Sequence, residues 1–382
     1  MEKPVNQADL ASRSIGILGM HRSGTSTVAR AINLLGVPLG EAAKMMPSTS
    51  DNAEGYWEHV EIHELQNRLM RRLKRTWDMV GPLPEGWLQS ELIRPFKEEL
   101  TRVVATNFGG QALWGWKDPQ TCLLLPLWRE VLEKAGTKLS CLLVVRSPVD
   151  VADSLMRRDA IPFDQGVGIW FLHNLAALKD AAGLPMVFLS YDRLLAAWEP
   201  ELRRCAAALE LEWPKEEQRL RENMDAFIKP GLRHNQSSSD RLQRLPGPVQ
   251  ELHAVLAAAS NQPSICDCRL EETINRLSRD FHAYASFFPA KAEPPILPNP
   301  IDRTLNRLSN DLQAYLAHFP NDAGENLRGV MLGWRANEGE KFQCLHFHSK
   351  SSPPKFMHRL LGEKVCRSIC KRLAEASCWL NP

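Results

Sequence analysis

No apolar run in this 382-residue chain reaches the ~18 to 20 residues that a bilayer-crossing helix needs. The first apolar stretch, Ser14 to Met20, is too short for the core of a secretory leader. Both absences point to a cytoplasmic protein. A strong charge imbalance is missing too: 47 basic side chains face 45 acidic ones, for a net charge of +2. That excludes the broad positive field of a general nucleic-acid binder. The basic surplus lies at the end, where residues 324–382 hold 10 Lys/Arg against 5 Asp/Glu. Paired metal-ligand spacing is also lacking. Cys266-Asp-Cys268, Cys344-Leu-His-Phe-His348 and the pair Cys366 and Cys370 do not follow a structural zinc pattern. The nine cysteines, an odd number and several of them in apolar or helical segments, read as reduced thiols rather than a disulfide framework.

What is present is an ordinary globular composition, 44% hydrophobic and 24% charged, so a folded core is expected. After a polar leader over residues 1–13, Ser14 to Gly19 reads as a buried strand and Thr25 to Leu35 as a helix closed by Gly36. Strand and helix then alternate. Ala112 to Lys117 is a strand, Pro119 to Ala135 a helix opened by its proline, Lys138 to Arg146 a strand and Pro148 to Arg158 another Pro-opened helix. A helix over Phe163 to Ala182, a strand over Pro185 to Ser190 and a helix through Leu209 complete the series. Such alternation predicts an α/β domain over residues 14–235, a mostly parallel, P-loop-like sheet flanked by helices. A linker with a helix is expected over 236–270. Thr273 to Pro289 then recurs 31 residues later as Thr304 to Pro320, with its apolar residues spaced 3, 4, 3 and 4 apart in each copy. Residues 271–323 therefore read as two amphipathic helices, a C-terminal helical extension that packs on the main domain or on itself, or else self-associates. Residues 324–382 form a basic tail whose stretch Lys355 to Leu380 reads as an amphipathic helix.

The chemistry concentrates in Gly19-Met-His-Arg-Ser-Gly-Thr-Ser26, which joins a buried strand to a helix start. Unpaired N–H groups and the positive end of the helix dipole converge there, as an anion requires. His21, Arg22, Ser23, Gly24, Thr25 and Ser26 are the candidate binding residues. Against the nucleotide triphosphate loop G-x-x-x-x-G-K-[ST], Thr25 stands where the lysine belongs and the cation is Arg22, inside the loop. The later strand Cys141-Leu-Leu-Val-Val-Arg146 ends in arginine, where an ATPase would carry a metal-holding Asp. Both point to an anion bound without a metal.

On these residues the chain resembles the sulfotransferases that use 3′-phosphoadenosine 5′-phosphosulfate (PAPS), in their bacterial-type, carbohydrate-directed branch. The loop His21 to Ser26 looks like the 5′-phosphosulfate loop, and Arg146 with Ser154, eight residues on, looks like the 3′-phosphate motif. Ser190-Tyr-Asp-Arg-Leu-Leu195 is similar to the family's strand-end tyrosine segment, which implies Tyr191 near the adenine; it reads equally as a core residue. The family's late Arg-Lys-Gly segment is absent, and Ile228-Lys-Pro-Gly-Leu-Arg-His234 is the nearest basic cluster, which makes Arg233 the candidate there. Where relatives show Lys-Asp-Pro-Arg, this chain has Lys117-Asp-Pro-Gln120.

The resemblance implies in-line transfer of a sulfuryl group from PAPS to a hydroxyl, or an amine, of a carbohydrate or other small polyol. No metal is required. Arg22 would hold the phosphosulfate and Lys117 would neutralise the developing charge. Within Glu54-Gly-Tyr-Trp-Glu-His59, Glu58 is the expected base, its pKa raised by burial beside Tyr56 and Trp57, with His59 and His21 as alternatives. The plainer readings make Glu58 and His59 the polar face of a helix through Met70, and Lys117 and Asp118 a structural ion pair. A P-loop kinase and a catalytically silent nucleotide-binding scaffold remain the competing functions.

Overall fold

The computed structural model describes residues 12–48, 55–228, 239–261 and 268–279, together with Tyr284 and Phe288. Arg233, the second copy of the repeat and the basic tail lie outside the described residues. Four parallel strands form one sheet in the order β2-β1-β3-β4: β1 (Arg13–Leu18), β2 (Leu113–Lys117), β3 (Lys138–Val145) and β4 (Met186–Ser190). The expected α/β class is the observed one. The strands are apolar on both faces because helices cover both, as parallel pairing demands. Alternate residues of β3 divide between two cores: Leu139, Cys141, Leu143 and Val145 face one, and Leu142 and Val144 the other.

One face carries α1 (Thr25–Leu34), α7 (Tyr191–Ala196), α8 (Trp198–Ala208) and α9 (Glu217–Phe227). The other carries α2 (Val60–Arg72), α3 (Arg94–Phe108), α4 (Thr121–Lys134), α5 (Pro148–Asp159) and α6 (Phe163–Asp180). This second core runs on into α11 (Gly247–Ala259) and α12 (Cys268–Arg279), which follow the short α10 (Ser239–Gln243); Leu252, Leu256 and Leu277 are fully buried in it. Ring contacts bring Phe288 and Tyr284 against Phe171 of α6. Among the described residues no helix is long and apolar enough to cross a membrane. Cys122, Cys141 and Cys205 are free and buried, and burial pushes each thiol up to about 12.

Two elements differ from the sequence expectation. Helix α4 starts at Thr121, not at Pro119, because the Asp118 carboxylate accepts the Gln120 N–H at 2.8 Å and holds Pro119 and Gln120 in a turn. The single helix expected through Leu209 is two. Ala197 takes a non-helical conformation, and Pro200, which has no N–H to continue the earlier ladder, stands in the first turn of α8.

The topology fixes where a ligand can sit. The chain leaves β1 toward β2 on one side and later leaves β3 toward β4 on the other, so the strand order reverses between β1 and β3. The crevice outside the carboxyl ends of two such strands is where open α/β sheets bind ligands. The segments leaving those ends are the loop from Gly19 and the turn at Arg146.

Candidate active site

The loop is shaped by backbone more than by side chains. Arg22 has φ 68° and Gly24 φ 89°, both in the left-handed region. A Cβ at Gly24 would lie 2.2 Å from the Tyr191 ring, so only glycine satisfies both the conformation and the contact. Gly24 leads into α1, which has no side-chain cap, and the N–H groups of its first turn are left to point into the loop. Ser23 donates its N–H to the Met20 carbonyl at 3.0 Å, while its hydroxyl is buried with no partner.

Two arginines meet across this loop. Arg22 Nε donates to Ser154 Oγ at 2.9 Å, and Arg146 Nη1 donates to the Arg22 carbonyl at 2.8 Å. The Arg146 guanidinium stacks on the Tyr191 ring, 4.7 Å from its centroid, and its own carbonyl accepts Trp170 Nε1 at 3.1 Å. Arg146 is 8% exposed, and its Nε is buried with no partner. Arg22, Gly24, Arg146, Ser154 and Tyr191, drawn from four separate elements, thus form one contact chain. Two groups with open hydrogen-bond capacity, Ser23 Oγ in the same loop and Arg146 Nε, fit a polyanionic ligand.

Lys117, at the end of β2, connects this cluster to a second one. Its Nζ donates to Ser26 Oγ at 3.2 Å and to Glu58 Oε1 at 2.5 Å. The other Glu58 oxygen lies 3.2 Å from His63 Nδ1, which also contacts Asp118 Oδ2 at 2.8 Å. Glu58, Lys117 and Asp118 are all buried. Burial works to raise the Glu58 carboxyl, but the Lys117 ammonium and His63 outweigh it and hold the carboxyl at about 2. This corrects the expected elevation: the neighbours that decide are a cation and an imidazole from other elements, not Tyr56 and Trp57. Burial likewise works to lower His63, and Asp118 with Glu58 overrides it, pushing the ring up to about 10.

The same contacts bear on the plainer readings. Glu58 and His59 precede α2 rather than forming its polar face. Lys117 pairs with Glu58, and Asp118 with His63. His59 is apart from the cluster: it packs beside Phe108, with ring centroids 5.9 Å apart, and against Gly40, and burial lowers its pKa. His21 packs against Trp77 with ring centroids 4.3 Å apart and the planes tilted by 40°; its Nε2 is buried with no hydrogen-bond partner, and burial holds it well below the usual histidine range. Glu58, Lys117 and Arg158 are among the charges that act on it, so His21 borders the Glu58 cluster.

His63 is the site residue that sequence reasoning missed. The only signal was its position four residues beyond His59, on the first turn of α2. Among the described residues, Glu58, His63 and Asp118 are the one group of His, Cys, Asp or Glu side chains whose donor atoms gather within 4.8 Å. Their contacts are those of hydrogen bonds. One Glu58 oxygen is taken by the Lys117 ammonium, and His63 Nδ1, facing two acceptors that carry no hydrogen, must bring the proton itself.

No family model matches this chain, and no curated protein matches it. Among solved structures it is similar to the sulfotransferase domain from the curacin biosynthetic pathway, at 16% identity over 70% of this chain and 98% of that one, with a TM-score of 0.33. It is also similar to the sulfotransferase domain from the Synechococcus PCC 7002 olefin synthase, at 17% identity over 72% of this chain and 98% of that one, with a TM-score of 0.34.

Proposed function

We propose that the chain is a PAPS-dependent sulfotransferase acting on a hydroxyl, or an amine, of a carbohydrate or other small polyol. The observation that carries this reading is the meeting of Arg22 and Arg146, from the segments that leave adjacent strands: the Arg22 side chain donates to Ser154, and the Arg22 carbonyl accepts from Arg146. Two fixed cations and an uncapped helix start suit a ligand with two separated anionic groups. Arg22, Ser23, Thr25, Ser26 and the first N–H groups of α1 would hold the 5′-phosphosulfate. Arg146 and Ser154 would hold the 3′-phosphate, with the Tyr191 ring beside them.

The transfer itself is an in-line displacement in which the protein supplies position and charge. Glu58 accepts the proton of the acceptor hydroxyl while the acceptor oxygen bonds to sulfur. The bond from sulfur to the 5′-phosphate oxygen breaks, and its electron pair stays on that oxygen. Lys117 stabilises the charge that develops there. The products are a sulfate ester and adenosine 3′,5′-bisphosphate. A carboxyl held at about 2 is a weak base while Lys117 grips it, so the two roles are linked: the ammonium that turns to the leaving oxygen strengthens the base it releases.

Adenosine 3′,5′-bisphosphate tests the binding half. It should raise Tm without Mg²⁺, and Arg146→Ala should remove most of that shift. A Tm rise seen only with ATP and Mg²⁺ would replace this reading with the kinase. Transfer of label from PAPS to a panel of sugars and polyols tests the chemical half; binding without transfer to any acceptor would leave a nucleotide-binding scaffold.

A further inference from the structure

Glu58 has two oxygens, and the transfer chemistry accounts for the partner of only one. We propose that His63 is the positioning residue for Glu58: its Nδ1–H, shared between Glu58 Oε2 and Asp118 Oδ2, keeps the carboxylate aimed when Lys117 turns away from it. This inference rests on the sulfotransferase reading.

Geometry fixes the proton. The partners of His63 Nδ1 are carboxylate oxygens at 2.8 and 3.2 Å, which only accept, so Nδ1 carries hydrogen. Asp118 is itself held: its Oδ1 accepts the Gln120 N–H at 2.8 Å, at the turn that starts α4. The imidazole therefore hangs from a rigid backbone feature and reaches across to the base. This is the arrangement by which a buried carboxylate orients an imidazole elsewhere in enzymology, with the difference that the oriented ring here serves a second carboxylate.

The far side of the ring is built too. His63 Nε2 lies 2.8 Å from the Asn67 amide nitrogen, and Asn67 Oδ1 accepts from Gln120 Nε2 at 3.0 Å. A cationic ring carries hydrogen on Nε2 as well and needs the Asn67 oxygen there, with that amide reversed. The reversed amide then donates toward Gln120 Oε1, an atom buried with no partner in the present orientation, once the Gln120 amide is reversed in turn. Gln120 replaces the arginine of the resembled motif. In that place it closes the hydrogen-bond chain behind His63 without adding a third cation.

The charges balance without outside help. Two carboxylates face two cations in a pocket where an unmatched charge would be costly. Loss of the Lys117 contact leaves Glu58 with the His63 hydrogen bond, which it shares with Asp118.

The test separates positioning from folding and from donor binding. His63→Leu removes the donor and His63→Asn keeps an N–H near the Nδ1 position. Asp118→Asn turns an N–H toward Nδ1 and forces the ring to accept there. We expect His63→Leu and Asp118→Asn to lower kcat about a hundredfold, with the midpoint for adenosine 3′,5′-bisphosphate within about twofold of the parent. His63→Asn should recover most of kcat. Unchanged kcat in both variants, or kcat and bisphosphate affinity falling together, overturns the proposal. Should the parent protein transfer no sulfuryl group at all, the sulfotransferase reading fails by itself. The contact is then read directly by ¹⁵N NMR of the His63 ring: a protonated Nδ1 that shifts in Glu58→Gln supports it, and a bare or unresponsive Nδ1 overturns it.

Discussion

The two halves of the site are built on opposite electrostatic plans. Around the loop, Arg22 and Arg146 converge with hydroxyls, a tyrosine face and helix N–H groups, and the Ser154, Arg22 carbonyl and Tyr191 groups that they touch there are neutral. Around Glu58, two carboxylates, an ammonium and an imidazole neutralise one another at 2.5 to 3.2 Å. The difference matches the two jobs proposed for the halves. A site that holds a polyanion must present net positive charge to it. A site that moves a proton must keep its charges paired until the substrate arrives, because a lone buried ion would change its protonation state instead.

If that division is right, changes in the two halves should damage different quantities. The largest loss is expected from Glu58→Gln, which keeps the shape and removes the base: about a hundredfold or more in kcat. Its bisphosphate affinity should stay near the parent value, as read by labelled-PAPS turnover alongside titration of the product nucleotide. Arg146→Ala should do the reverse, weakening bisphosphate binding by about tenfold to a hundredfold, the worth of a charge-assisted contact. Calorimetric titration measures it, and loss of kcat without loss of affinity would erase the distinction between the halves.

A smaller effect is expected from Gly24→Ala. The added methyl meets the Tyr191 ring at a backbone position L-residues avoid, which should cost about 1–3 kcal/mol of stability. Thermal unfolding reads it, and bisphosphate affinity should fall with it because Tyr191 and the loop must move together. The smallest effect concerns pH. His63 is raised from an ordinary 6.5 to about 10, so its ion pairs stabilise fully below 6.5 and fade as pH climbs toward 10. Glu58 is held at about 2 against an ordinary 4.5, so its share is complete above 4.5 and is lost as pH falls toward 2. The Tm difference between the parent and His63→Asn should therefore narrow between pH 6.5 and 10. A constant difference would show that the ring is not held as a cation.

The arginine half was readable in the sequence because its signals are local. A glycine-bracketed loop between strand and helix, and an arginine with a serine eight residues on, state their geometry through backbone periodicity alone. Their meeting followed once both strands stood side by side. The Glu58 half was only half readable. Glu58 and Lys117 were singled out, but His63 comes from α2 and Asp118 from the end of β2, 55 positions apart, and nothing in either neighbourhood announces the other. The direction of the Glu58 shift was read from its flanking aromatics. Trp57, with φ 56°, instead lies under Arg30, 4.7 Å from its guanidinium, and leaves Lys117 to set the charge. Adjacent residues in a turn point different ways, so chain neighbours are poor guides to the surroundings of a buried carboxylate.

The reach of α11 and α12 into the second core has a practical side. A chain shortened to residue 235, where the alternating strand and helix pattern ends, would strip Val249, Leu252, Leu256 and Leu277 from the flank of α6 and wet an apolar stripe that includes Phe171. Such a fragment should clump or cling to chaperones on expression. A workable minimal fragment has to extend past Phe288, the ring that Gly168 leaves room for.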